Sequence, residues 1–398
     1  MAHRKATGQY FTPRSIRQRL LDHLDLVPGM TVLDPGAGTG EFLLDVLERE
    51  PEAQVAGFEV DPDLARLCRE EHGLLGVEGR DALTAGVKNA YDLVLGNPPY
   101  FEVRTTREVL ARYGGVVSGR PNVFAMFFQV GLDAVKPGGT LAYVVPPSMN
   151  NGAYFAALRR WILERAAIER LEVLRNARLF DGAEQTVQLL VLRKGERSDR
   201  HVFRSTTATG LENPIFLDDP KTLADLVGGY ATLHELGYEA RTGRCVWNRH
   251  KDDLRREPGP DAIPLVWAHN VTDDGLRLTP DHPRRPQYIR TDRPDAGPAI
   301  VVNRVTGAVG YGALRAGLIP DGTAFLGENH VNVVRPRAGV AAPGATLEEV
   351  LEGLRSPRVA KALRLLTGNT QLSAKELTHV VPVLPRRNAP LGIAIASP

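Results

Sequence analysis

The sequence predicts an α/β protein, with an open sheet of strands alternating with helices in its first half and a mixed α+β second half. Three observations carry this reading. Residues 30–49 run from a short apolar strand into a glycine-rich loop and then an amphipathic helix, and strand and helix patterns keep alternating to residue 194. At 398 residues, 43% hydrophobic and 24% charged, the chain is long enough for two cores. Beyond Lys194 the composition turns charged, then rich in Pro and Gly, and the strands become short. A first domain over 1–230 and a second over 231–398 are expected.

Bulk properties exclude several classes. The net charge is +2 with a pI near 8.5, and no basic tail announces a partner, so a charged binding surface must be local. Cys68 and Cys245 stand far apart without a second ligand at metal spacing. Free thiols in a reducing compartment are expected, with no zinc and no disulfide. The N-terminus lacks an apolar leader, and no stretch approaches the roughly 18 apolar residues of a membrane helix, so a cytoplasmic location without membrane contact is expected.

Taken in order, Thr12 and Pro13 are placed to start a helix as N-cap and first helical residue, with Ile16, Leu20, Leu21 and Leu24 on one face. Residues 30–33 form a strand that runs into Asp34, Pro35, Gly36, Ala37, Gly38, Thr39, Gly40, Glu41 and Phe42. Alternate glycines let the backbone turn tightly and lie against a ligand. The loop misses the dinucleotide fingerprint, because the third glycine position falls on Glu41 or on Leu43, and it lacks the Gly-Lys-Ser/Thr ending of a phosphate loop. A nucleoside ligand without a pyrophosphate is favoured.

A second strand over 55–60 ends in Glu59 and Val60, before Asp61 and Pro62. An acid about 20 positions beyond the glycine loop, at that strand's tip, suits the two hydroxyls of a ribose. Helix 64–71 and a third strand over 76–81 follow; Asp81, with Ala82 behind it, either accepts an exocyclic amine or is a plain turn aspartate. Strand 91–95 delivers Gly96, Asn97, Pro98, Pro99 and Tyr100, and two prolines after a glycine forbid its continuation. Asn97, the Pro98 carbonyl and the Tyr100 ring are thereby left at a strand's carboxyl end, where two acceptors beside an aromatic suit a flat conjugated NH2 group. An ordinary Asn-Pro turn is the competing reading for these residues alone.

Residues 101–121 read as a loop at the mouth of the site. A helix over 122–135, ended by Lys136, Pro137, Gly138 and Gly139, precedes a strand over 140–145. Helix 154–167 and strands 168–174 and 186–193 complete the first half, with Phe180 on the loop between the last two strands. Residues 204–222 read as irregular, 223–230 as a bridging helix, and 347–366 as one helical pattern. Residues 299–398 hold 11 Lys/Arg against 6 Asp/Glu, so positive charge gathers late.

The order Gln9, Tyr10, Phe11, Thr12, Pro13; Asp34 through Phe42; Glu59, Val60, Asp61, Pro62; Asp81; and Asn97, Pro98, Pro99, Tyr100 resembles the γ-class adenine-N6 DNA methyltransferases of the TaqI and Eco57I type. The resemblance covers residues 8–194 strongly and the second half more loosely. It implies a Rossmann-like class I methyltransferase domain with a mostly parallel seven-stranded sheet, followed by a target recognition domain. It further implies that Tyr10, Thr12, Asp34, Gly36, Ala37, Gly38, Glu59, Val60, Asp81, Ala82, Asn97, Pro99 and Phe127 line the S-adenosyl-L-methionine site. Asn97, Pro98, Tyr100 and Phe180 would act on the base. Double-stranded DNA is the implied partner, the expected state is a monomer, and any cognate restriction endonuclease would be a separate protein.

The chemistry agrees with the resemblance. The N6 lone pair of adenine is delocalised into the ring, and the Asn97 oxygen with the Pro98 carbonyl can draw the NH2 towards tetrahedral geometry. Inside a duplex N6 is blocked, so the base is expected to flip out and stack between Tyr100 and Phe180. Protein glutamine and RNA guanine-N2 methyltransferases use a similar turn, but they usually carry their substrate segment at the N-terminus. A catalytically dead specificity subunit is a third alternative, opposed by the unbroken motifs.

Overall fold

The computed structural model describes residues 12–102, 106–117, 122–174, 186–206, 212–278, 282–304, 314–366 and 372–386. The chain forms two compact units, Met1–Arg204 with Asn213–Pro220, and Ser205–Glu212 with Lys221–Pro398.

In the first unit, helix α1 (Arg14–Leu21) buries Ile16, Leu20 and Leu21. Its N-cap is Pro13, which makes no side-chain cap bond, so Thr12 does not cap the helix as expected; its hydroxyl is used elsewhere. Strand β1 (Thr31–Asp34) leads through the glycine loop into α2 (Glu41–Arg49), whose Phe42, Leu43 and Val46 face the core. Next come β2 (Gln54–Glu59), α3 (Pro62–Glu70), β3 (Val77–Gly79), α4 (Ala82–Ala85) and β4 (Tyr91–Gly96). Asp61 starts α3 by accepting from the Asp63 and Leu64 N–H groups, with Pro62 at the first helical position. The unit continues with α5 (Arg107–Tyr113), α6 (Val123–Ala134), β5 (Val135–Val145), α7 (Ala156–Leu163), β6 (Ala166–Leu174) and β7 (Val187–Lys194).

These strands form one sheet in the order β3-β2-β1-β4-β5-β7-β6. All neighbours are parallel except β5 with β7 and β6 with β7. The apolar runs belong to strands covered on both faces, which is why they lack polar alternation. On β4, Leu93 and Leu95 enter the layer that holds Ile16, Leu43 and Val46, whereas Val94 enters the layer of Phe124, Phe128 and Tyr143. Strand order reverses between β1 and β4, so their connections leave in opposite directions and open a crevice at the carboxyl ends.

Three local expectations are corrected. Residues 136–139 lie inside β5, because Val135 already pairs with Tyr91 before an irregularity shifts the register. Part of the expected loop 101–121 is helical: Thr106 caps α5 by accepting from the Val109 N–H, and Tyr113 is buried. Residues Val202–Thr206 and Glu212–Phe216 pair as a two-stranded ribbon despite their polar neighbourhood.

The second unit is mixed α+β. Tyr238–Thr242, Val331–Pro336, Ala299–Asn303 and Ala316–Ile319 form an antiparallel sheet in that order. Helices Leu347–Leu354, Pro357–Leu366 and Ala374–His379 cover it through Val350, Leu354, Val359, Leu363 and Leu377. The single helical pattern expected at 347–366 is two helices, broken where Pro357 removes an N–H and begins the second.

Candidate active site

The carboxyl ends of β1, β2 and β4 each present one polar side chain. Asp34, the last residue of β1, is 2% exposed, and its Oδ1 accepts from the Gly36 N–H at 2.9 Å. Burial pushes its carboxyl up to about 7; the Gly36 N–H pulls the other way and the Glu59 charge adds to the rise. Gly96 passes directly over this carboxyl. Its φ is +149°, and a Cβ there would meet Asp34 Oδ1 at 2.6 Å, so only glycine lets β4 end at this point.

Glu59 closes β2 and is 6% exposed. Its Oε2 accepts from the Gly38 N–H at 2.8 Å and its Oε1 from the Asp61 N–H at 2.9 Å. The carboxylate is thereby fixed to the loop on one side and to the start of α3 on the other, while each oxygen keeps a further lone pair for a hydroxyl donor. The Ala37 N–H binds the Phe58 carbonyl at 3.0 Å and ties the loop to β2. Across the loop, the buried Phe127 ring comes within 3.4 Å of where a Cβ on Gly36 would stand. Val60 is 72% exposed directly after Glu59, an apolar side chain turned to the open face. Asp81 is exposed and caps α4, accepting from the Leu83 N–H at 2.9 Å, with Ala82 buried behind it.

At the end of β4 the amide of Asn97 lies between two hydroxyls. Its Nδ2 donates to Thr12 Oγ1 at 2.9 Å, and its Oδ1 accepts from the Tyr100 hydroxyl at 2.5 Å. That hydroxyl also lies 2.6 Å from the Val144 carbonyl of β5. Burial holds the Tyr100 phenol far above its ordinary range, so it stays a donor at every working pH. The ring meets Phe124 edge-on, with centroids 6.0 Å apart. Pro98 is buried and Pro99 half-buried. Tyr10 and Phe180 lie outside the described residues.

Two features escaped sequence reasoning. Thr12 is 4% exposed and reaches Asn97 across 85 positions of sequence. Arg17, buried on α1, donates to the Thr12 carbonyl at 2.5 Å, to Glu41 at 2.8 Å and to Asp45 at 2.5 Å. The signal was present, because position 17 shares a helical face with Leu20 and Leu21, and a charge on an apolar face needs partners. Among the described residues there is no group of three or more His, Cys, Asp or Glu that could hold a metal, and no helix long and apolar enough to cross a membrane.

Residues 1–212 match the family described as N-6 DNA Methylase. The chain belongs to the N-6 DNA methylase family. It is an adenine-specific DNA methyltransferase of the restriction-modification type, built on the class I S-adenosylmethionine-dependent fold. The methylase is 30% identical over 163 residues to the modification methylase CviBIII of Paramecium bursaria Chlorella virus NC1A, covering 39% of this chain and 42% of that one. To the type II methyltransferase M.CvrRI of Paramecium bursaria Chlorella virus XZ-6E it is 24% identical over 380 residues, 94% of this chain and 93% of that one. M.TthHB8I of Thermus thermophilus is 27% identical over 70% of this chain and 69% of its own. Among solved structures, the type IIG restriction endonuclease BpuSI aligns with a TM-score of 0.45 at 13% identity, over 92% of this chain and 57% of that one.

Proposed function

We propose that the methylase acts on one adenine within a specific duplex sequence, flipped out of the helix and held by its N6 amine between the Asn97 oxygen and the Pro98 carbonyl. The observation that supports this most is the setting of Asn97. Its nitrogen is engaged by Thr12, which leaves the oxygen as the amide's accepting atom beside a crevice lined by Asp34 and Glu59. The Tyr100 hydroxyl has one proton and two acceptors, so it can turn to Val144 as an amine arrives at Asn97.

The residues present fit the cofactor. Asp34 offers a buried carboxyl to a cation, Glu59 offers outward lone pairs to a diol, and the 36–38 loop and Phe127 offer a surface open to a flat ring. Asp34, Gly36, Ala37, Gly38, Glu59, Val60 and Phe127 would hold S-adenosylmethionine, and Asp81 and Ala82 would border its purine. When bound, this group supplies an electrophilic methyl on a sulfonium. The protein's part is orientation: Asn97 and Pro98 aim the amine's lone pair, and Tyr100 with Phe180 replaces the stacking lost on flipping.

The second unit is assigned to target recognition. Support comes from the late excess of Lys and Arg and from the match to M.CvrRI, which runs over 94% of the chain. The enzyme is proposed to work as a cytoplasmic monomer beside a separate endonuclease. The test is incubation with labelled S-adenosylmethionine and plasmid DNA, and in parallel with RNA and with protein, followed by mass spectrometry of the hydrolysed nucleosides and amino acids. N6-methyladenine at one sequence context is expected; label in RNA guanine or protein glutamine, with none in DNA, overturns the reading. The full chain carrying Asn97→Ala is expected to keep target binding that weakens steeply with salt.

A further inference from the structure

We infer that Arg285 reads a guanine of the target duplex, presenting two N–H groups to the O6 and N7 acceptors in the major groove. That role depends on the assignment of the second unit to target recognition. The Arg285 guanidinium lies in a notch between two indoles, its central carbon 5.2 Å from the centroid of the Trp247 ring and 4.7 Å from that of Trp267. The two rings are 6.3 Å apart and inclined at 50°. Ring faces hold a cation through its charge and use up none of its N–H groups.

Two features set Arg285 apart from other arginines of this unit. Its donors are unspent: Arg244 meets Asp295, Arg290 meets Asp253 and Arg315 meets Asp273, whereas the Arg285 side chain has no ion pair or hydrogen bond among the described residues. Its backbone is also fixed on both sides. The Arg285 N–H donates to His282 Nδ1 at 3.0 Å, and the Arg285 carbonyl accepts from Gln287 Nε2 at 3.0 Å. Gln287 is itself buried, and its Oε1 accepts from Asn270, a fully buried amide whose oxygen takes the Trp267 N–H. The Trp267 indole donates to the Pro286 carbonyl at 2.8 Å. One hydrogen-bonded unit thus carries both the arginine and a ring that holds it. A phosphate asks only for positive charge beside the strand, and contacts of that kind carry no sequence information. A planar cation held in one orientation, with its donor edge unspent, fits a pair of acceptors that must be met in one plane; in duplex DNA the guanine edge is such a pair.

The test maps methylated adenines in plasmid DNA of mixed sequence for the full-length wild type and for Arg285→Met, which keeps the packing on the indoles and removes the donors. Wild-type sites are expected to share a G·C pair at one fixed distance from the methylated adenine, and Arg285→Met should lose about 10- to 100-fold of the discrimination at that pair. The second arm needs no variant to fold. Placing 7-deazaguanine, which pairs normally and lacks the N7 acceptor, at that position should slow single-turnover methylation by wild type about 10-fold, and by Arg285→Met less than about twofold. Wild-type sites that share no guanine overturn the inference. So does an Arg285→Met variant that keeps the wild-type sites in the same proportions, whether at wild-type rates, as a purely structural cation would leave them, or with all sites slowed alike and a shallower salt dependence, as a phosphate contact would. A wild type indifferent to 7-deazaguanine, or a wild type and variant slowed equally by it, also overturns it. A wild type that places no methyl on DNA adenine is a separate result: it overturns the proposed function, and the inference with it.

Discussion

Two aspartates at opposite ends of the same pair of central strands show what distinguishes a working end of a sheet from a structural one. Asp34 closes β1 at the carboxyl end, is almost fully buried, and has its carboxyl pushed up to about 7 by burial. Asp92, near the start of β4, bonds Lys136 at 2.8 Å and the Thr31 N–H at 2.9 Å, and is held down to about 2, chiefly by the Lys136 bond. The residue type is the same and so is the sheet. Asp92 carries its counter-charge within the chain, whereas Asp34 lies where burial makes its charge costly, as expected of a group proposed to meet the cofactor's cation. A buried carboxyl without a counter-charge of its own, at the carboxyl end of a parallel strand, is a candidate for a functional role.

The comparison can be broken first where the largest effect is expected. If the carboxyl end carries the chemistry, Asn97→Ala should lower the methylation rate by about 100- to 1000-fold with cofactor and DNA affinities nearly unchanged, because the contact matters chiefly in the transition state. Single-turnover assays beside calorimetry read this; a rate within threefold of wild type removes Asn97 from the mechanism. Next, Glu59→Ala should weaken S-adenosylmethionine by roughly 1.5 to 3 kcal/mol, the range for hydrogen bonds to a charged group. Unchanged affinity in a folded variant would mean that Glu59 serves only the Gly38 and Asp61 N–H groups.

Asp34 sharpens the contrast through pH. Its folded pKa is raised, so the neutral form is the one the fold prefers; the associated stability is present below about 3.9 and lost as pH rises to about 7. Cofactor affinity runs the other way. It should climb as pH rises towards 7, while Asp34 ionises, and fall beyond roughly 8, where an α-amino group loses its proton. Asp34→Asn should flatten the acid limb in calorimetry and stabilise the ligand-free protein at pH 8 by on the order of 1 to 3 kcal/mol. A variant less stable than wild type at that pH would show that the carboxylate is paired internally after all.

The smallest effect belongs to Asp92. Its pKa is depressed, so its contribution is present above about 3.9 and lost as pH falls towards 2. Both partners are 40% exposed, and solvent screening should limit the cost of Asp92→Asn at pH 7 to about 0.5 to 1 kcal/mol, with methylation untouched. An activity loss there would erase the distinction between the two ends.

The sheet was legible because β1, β4 and β5 are apolar runs stopped by Gly or Pro, and because Asp34 and Glu59 end β1 and β2 while Asn97 directly follows β4. Local signals of that kind survive without tertiary knowledge. Contacts that close over long separations do not. Thr12 reads as an N-cap from its neighbours, and only the fold shows its hydroxyl against Asn97. Asp81 is similarly double: its cap on α4 was visible as a turn signal, and its part in binding was carried by resemblance alone. In the second unit, strands such as Leu254–Arg255 and Asp295–Ala296 span two residues each, too short to show a period. The break at Pro357 was written in the sequence, but the apolar spacing on its two sides continues one helical phase and hides it.

The close passage of Gly96 over Asp34 also bears on how such an enzyme can change over time. A side chain at 96 cannot be accommodated while the carboxyl stays where it is, and removing the carboxyl to make room would remove the group proposed to meet the cofactor's cation. With Asp34 in its proposed role, a change at either position alone is expected to cost activity. Two sites that do different jobs are thereby locked into one unit of inheritance, and the entrance to the catalytic turn is expected to drift as a pair or not at all.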